Sequence, residues 1–250
     1  MRRTLCLNAD LGELPGAEGR AIDAEMLRVV TRCNVACGGH TGDETSMRAT
    51  LRAARDNGVR IGAHPSYPDL ENFGRLTLAM SPQDLAASLT VQTRCLLEIA
   101  AEEKATVTHL KAHGALYNDA AKDAGLAAVI AAVTAEAGLR ELVGPPGSEL
   151  EHAARAAGLQ YLAEGFADRC YEPDGALTPR SFPGAVLEDT SVVLAQALGF
   201  VRDSTVAVRG GGRIPLVIET LCLHSDTPGA ADHARILRAG LEAAGIGVCA

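Results

Sequence analysis

"HLKAHGALYN", residues 109–118, is the stretch on which the fold of this chain turns. His109, Lys111 and His113 stand two apart, and a glycine and the start of a helix follow at once. On a β-strand successive side chains alternate faces, so these three share one face while Leu110 and Ala112 take the other. Such a strand, polar toward its C-terminal end and running straight into a helix, is one βα unit with chemistry at its head.

The same alternation extends outward in both directions. Strands are expected at residues 4–8, 33–37, 59–63, 106–112, 141–144 and 159–164, with a seventh inside 217–226. Helices are expected near 23–32, over 44–57 with Asp43 as N-cap and Gly58 as stop, and from Ser81–Pro82 to about 103. An Ala-rich helix follows residue 113; others cover 147–157 and 189–202, and the last starts at Thr227–Pro228. "IGVCA" at the C-terminus adds a short strand, and "RGGGR" (209–213) reads as a flexible surface turn.

Seven βα-like units with right-handed crossovers form either an open doubly wound sheet or a closed β/α barrel, irregular in having seven strands. Asp10, His40, His64, His113 and His224 each fall at or just after the C-terminal end of a separate strand. A closed barrel gathers such ends into one mouth, whereas an open sheet spreads them. The expectation is a single-domain α/β protein, residues 1–250 forming one barrel without a linker.

Composition narrows the function. The chain is 47% apolar and only 3% aromatic, lacks Trp, and carries 23 basic against 31 acidic residues, a formal charge of −8. That balance disfavours nucleic acid, anionic membranes, sugar platforms and base-stacking surfaces. Seven cysteines at 6, 33, 37, 95, 170, 222 and 249 form no CxxC pair and read as reduced thiols of a cytoplasmic protein. The start reaches Asp10 before any adequate apolar stretch, so it does not read as a signal peptide, and the apolar run 124–135 is too short for a membrane span.

Acids accompany the strand-end histidines. "NADLGE" supplies Asp10 and Glu13, "NVACGGHTGD" His40 and Asp43, "GAHPSYPD" His64 and Asp69, and "LHSD" His224 and Asp226. Any one of these histidines alone is as readily a partner for loop carbonyls; together they point to a site. A His/Asp cluster also suits a divalent metal, with Asp10, His40 and His64 as the expected ligands if one is bound. Lys111 beside them argues against a cation and suits a developing oxyanion or phosphoryl group. No GxxxxGK[ST] motif is present, so no nucleotide site is expected in this chain. The long loop at 164–181 brings Glu164, Asp168, Arg169 and Arg180, and an arginine there suits a substrate carboxylate.

In order along the chain, "LNADLGE", "NVACGGHTGD", "IGAHPSYPD" with "NFGR", "HLKAHGALYN", "FADRCY", "PRS" and "LCLHSD" resemble the motifs of the LamB/YcsF family of 5-oxoprolinase A subunits, over residues 5–226. The resemblance implies a β/α barrel of the glycoside hydrolase/deacetylase type. It also implies ATP-dependent opening of 5-oxo-L-proline to L-glutamate together with two further subunits, of B and C type, which would bind most of the ATP. Homo-oligomerisation and a divalent metal stay open. The expected catalytic group is Asp10, His64, Lys111, His113 and His224. The expected substrate contacts are Glu13, His40, Asp43, Asp69, His109, Asn118, Glu164, Asp168, Arg169, Arg180 and Asp226. Two rivals are a stand-alone metal-dependent amidohydrolase or deacetylase, which would need no ATP, and a non-catalytic ligand-binding subunit, which would bind 5-oxoproline without turnover.

Overall fold

The computed structural model describes residues 4–223 and 229–249. Strand β1 (Thr4–Leu11) leads through a turn into α1 (Gly16–Met26), and β2 (Arg32–Ala36) into α2 (Glu44–Asp56). Next come β3 (Arg60–His64), α3 (Pro82–Glu102), β4 (Val107–Lys111), α4 (Gly114–Ala120) and α5 (Ala124–Glu136). The chain continues with β5 (Glu141–Gly144), α6 (Glu149–Ala156), β6 (Gln160–Phe166), α7 (Thr190–Arg202) and a hairpin of β7 (Thr205–Ala207) and β8 (Arg213–Pro215). It ends with β9 (Thr220–Leu223), α8 (Ala230–Ala243) and β10 (Gly247–Val248).

Seven strands pair in parallel in the order β1-β2-β3-β4-β5-β6-β9, and β9 pairs back onto β1, so the barrel is closed. Closure leaves these strands no free edge. β10 continues the parallel pairing at the start of β1, with Thr4 opposite Gly247. Leucines, valines and alanines on the outward faces of the strands pack under the helices, as in Leu7, Ala9 and Leu11 of β1 and Leu110 of β4. Parallel strands buried on both faces need such runs.

Helix starts follow their caps. Asp43 accepts from Ser46 N–H while the Ser46 hydroxyl accepts from Asp43 N–H, and the Ser81 hydroxyl accepts from Asp84 N–H just before Pro82. Three expectations shift. The first helix begins at Gly16, behind Pro15, and ends at Met26, because Val29 and Val30 are buried in the turn that leads to β2. The Ala-rich helix is two helices, since Asp123 turns back to accept from Gly125 and Leu126 N–H and caps a new one. "RGGGR" is the turn of an antiparallel hairpin whose strands pair Thr205 with Pro215.

All seven cysteines are free thiols. No helix among the described residues is long and apolar enough to cross a membrane.

Candidate active site

Small β/α barrels fill their interior with branched apolar side chains. This one fills it with polar groups in layers that climb from the N-terminal to the C-terminal ends of the strands. At the bottom Arg32 on β2 reaches Glu141 on β5, Nη1 to Oε2 2.5 Å. Above it, Asn34 on β2 accepts from His109 Nε2 on β4 at 3.0 Å and donates to Asn8 and Asp10 of β1 at 2.9 and 2.7 Å. Asn8 donates in turn to the Thr220 hydroxyl on β9 at 2.8 Å. The ring of His109 fills the space beside Gly62, where a Cβ would lie 2.3 Å from its Nε2.

The next layer holds one ammonium among acids. Lys111 Nζ lies 3.0 Å from Asp10 Oδ1, 2.9 Å from Glu164 Oε1 on β6 and 3.2 Å from Cys222 Sγ on β9. Lys111 is 2% exposed. Burial works against its charge, but Asp10 and the other acidic neighbours outweigh burial and lift its pKa well above the ordinary lysine value. Burial likewise raises the Cys222 thiol, leaving it a neutral neighbour.

At the top, the ends of four strands and the loops after them bring Glu13, His40, His64 and His113 together. Glu13 follows β1, His40 follows β2, His64 ends β3 and His113 follows β4. Glu13 Oε1 is 3.1 Å from His40 Nε2, 3.2 Å from His113 Nδ1 and 3.6 Å from His64 Nε2. His64 Nε2 also lies 3.4 Å from Asp10 Oδ2. The His40 and His113 rings stack with centroids 3.6 Å apart.

The outer ring nitrogens fix the tautomers. His64 Nδ1 donates to the Lys111 carbonyl at 2.8 Å and His113 Nε2 to the Phe73 carbonyl at 3.0 Å, since a carbonyl only accepts. In the neutral rings the inner nitrogens, His64 Nε2 and His113 Nδ1, therefore face each other as lone pairs at 3.0 Å. Phe73 presents its carbonyl from a left-handed backbone, φ 56°. Gly114, at φ 59°, has no room for a Cβ, which would sit 2.4 Å from the Gly74 carbonyl oxygen, so this loop presses directly on the start of α4 and on His113.

Burial holds His40 down to about 4 and also lowers His113, so both are neutral imidazoles at neutral pH. His64 is raised: burial opposes its charge, but Asp10 and Glu13 overcome it. For Glu13, burial pushes upward, yet the adjoining imidazoles of His113 and His40 bring it below the usual carboxylate range. The result is a buried carboxylate among three imidazoles at the barrel mouth. A dication fits such a donor set, and Glu13, His40, His64 and His113 would hold it.

Residues 5–250 match the family model described as the LamB/YcsF family. The chain belongs to the LamB/YcsF family. It is 48% identical to the 5-oxoprolinase A subunit of Methylococcus capsulatus, covering 100% of this chain and 96% of that protein. To the corresponding 5-oxoprolinase protein of Chloroflexus aggregans it is 49% identical, covering 97% and 96%. Among solved structures, the lactam utilization protein of Thermus thermophilus superposes with a TM-score of 0.89 at 37% identity, covering 99% of both chains. An uncharacterized protein of Agrobacterium tumefaciens C58, 15% identical, shares the fold with a TM-score of 0.54 over 100% of this chain and 88% of its own.

In this LamB/YcsF barrel, the structure brings together Asp10, Glu13, His40, His64, Lys111, His113 and Glu164. His109 is expected at the mouth but lies a layer deeper, fully buried and bonded to Asn34, because its place two residues before Lys111 sets it lower on the same strand face. Asp168 and Arg169 follow β6 and are buried. Arg169 donates to the carbonyls of Thr178 and Ala185, bracing the long loop from within. Asp69 accepts from Asn72 and shapes the turn after β3. Asp43, Asn118 and Arg180 are exposed. Asp43 caps α2 and Asn118 donates to the Gly114 carbonyl. His224 and Asp226 lie outside the described residues. Asn34 and the Phe73 carbonyl join the site without having been expected from the sequence; an asparagine at the centre of a fully buried strand is the signal for Asn34.

Proposed function

We propose that this chain is the A subunit of an ATP-dependent 5-oxoprolinase, working in the cytoplasm with B- and C-type partner subunits that carry most of the ATP binding. The observation that supports it most is the convergence of acids and imidazoles from four successive strand ends, in a chain related over its full length to proteins named as 5-oxoprolinase A subunits.

Opening an unstrained lactam requires a polarised carbonyl, a water, a base for that water and a proton for the departing nitrogen. Phosphorylation of the amide oxygen at the expense of ATP would supply the activation. Asp10 then takes the proton of the attacking water, and Lys111 is the positioning residue that holds Asp10 in place through Nζ. His64, when protonated, would donate from Nε2 to the oxygen on which charge develops. Arg180, on the long loop after β6, would meet the substrate carboxylate, with Arg169 bracing that loop from within. A metal in the cluster, when bound, would add charge stabilisation at that oxygen.

The test is reconstitution. The purified chain, its two partner subunits, 5-oxoproline and ATP are mixed, and glutamate and phosphate are measured together. Equal release of both is expected, with Asp10→Asn lowering glutamate formation by about 100-fold or more. Glutamate formation without ATP, or none with every component present, would overturn the reading.

A further inference from the structure

We infer that the barrel mouth is a metal centre in which Glu13, His40, His64 and His113 bind one first-row transition dication of the zinc class. Four observations converge on it. First, the donor atoms already stand where ligands stand. A tetrahedral site with bonds of about 2.0–2.1 Å has donor–donor edges of roughly 3.3 Å. Four edges here measure 3.0, 3.1, 3.2 and 3.6 Å, and all lie within 4.8 Å.

Second, the tautomers aim lone pairs inward. The carbonyls of Lys111 and Phe73 take the outer N–H of His64 and His113, which leaves two inner nitrogens opposed at 3.0 Å. Two lone pairs at that distance repel unless a metal cation, or a proton on His64, lies between them. Outer N–H groups donated to backbone carbonyls are also how ligating histidines are held. Third, Glu13 is 7% exposed, and its ion partners among the described residues are all imidazoles, with no arginine or lysine. A buried carboxylate in that position favours a positive ion at its centre.

Fourth, the donors select the metal. Three imidazoles and one carboxylate suit zinc, cobalt or nickel, whereas magnesium and calcium prefer all-oxygen sets. Asp10, a ligand expected from the sequence, is instead drawn toward Lys111, and Glu13 and His113 complete the set. Because the four ligands stand at or just after the ends of four successive strands, the ion would tie that side of the mouth together.

The inference is independent of the lactam reading: a chain that binds zinc but leaves 5-oxoproline intact keeps the first and loses the second. The experiment uses the untagged full chain, stripped with chelator and freed of it, then titrated separately with Zn²⁺, Co²⁺ and Mg²⁺. One equivalent of zinc per chain is expected, with a raised unfolding temperature, intense visible bands for tetrahedral cobalt, and no response to magnesium. Glu13→Gln and His113→Ala should weaken zinc binding on the order of 100-fold, while His152→Ala, on the exposed face of α6, should not. A folded wild-type chain that takes up no zinc overturns the inference, as does uptake unchanged in both folded variants. Should a variant fail to fold, the wild-type cobalt spectrum decides: weak octahedral bands overturn the inference and strong tetrahedral ones support it.

Discussion

At the scale of single residues, the centre of this protein is an ammonium that has almost no contact with bulk water. Lys111 sits between Asp10 and Glu164, and its charge is maintained only because those acids outweigh the cost of burial. Removing one member of a buried ion group costs about 3–5 kcal/mol, because the remaining charge stays desolvated. Lys111→Met should therefore lower stability by about that amount. Combining it with Glu164→Gln should recover part of the loss, by roughly 1–3 kcal/mol. Urea unfolding of the two single variants and the double variant measures the coupling, and simple additivity would show that the Lys111–Glu164 contact contributes nothing. In sequence, the parity of His109, Lys111 and His113 was legible because period-two alternation is a local property of a strand. The partners of Lys111 were not, since Asp10 and Glu164 lie 101 and 53 positions away along the chain and meet it only across the barrel.

At the scale of elements, α1 steadies the turn that delivers Glu13. Asp23 on α1 accepts the Gly12 N–H at 2.9 Å, and Gly12 takes φ 77° just before Glu13. Burial, opposed by that hydrogen bond, raises the Asp23 pKa from 3.8 to about 6. Between these values the folded chain keeps a proton that the unfolded chain has released, so this group's contribution to stability falls as pH rises through the window. A difference of two pH units corresponds to about 3 kcal/mol across the whole interval. Asp23→Asn keeps an acceptor for Gly12 and removes the titration. Relative to wild type, the variant should gain stability steadily from about pH 4 to about pH 6 and level off above. Parallel denaturant curves across that range check it; a constant difference would sink the assignment. Helix starts at Asp43 and Ser81 were legible because capping is local chemistry, whereas the end of α1 was not, because Val29 and Val30 leave the helix to fill space under the barrel.

At the scale of the molecule, the two ends of the barrel carry different duties. The C-terminal end gathers the acids and imidazoles; the N-terminal end is closed by Arg32 and Glu141, with Arg60 at 3.3 Å from the same carboxylate. Stability and chemistry can thus be disturbed separately. Arg32→Met leaves Glu141 buried with only the half-exposed Arg60, at a cost of about 3 kcal/mol, or roughly 6–12 °C in Tm. Glutamate formation by the reconstituted complex should be unchanged at temperatures well below the melt. Thermal melts and steady-state rates on the same preparation test this; loss of activity in a folded variant would place the bottom layer within the chemistry.

The amino-acid sequence alone determined the alternation of strands and helices and offered the strand-end acids and histidines as candidates for a site, because hydrophobic period and capping act over a few neighbouring positions. Only the tertiary structure decided which of those residues share a chamber. Closure of β9 onto β1 brings groups from all the barrel strands into one interior, and the register between strands sets their height in it. That is why His109 drops a layer below the mouth, why Lys111 is enclosed by Asp10 and Glu164, and why Glu13 rather than Asp10 completes the ring of imidazoles. Height inside a barrel depends on distances between segments far apart in the chain, and no local pattern encodes it.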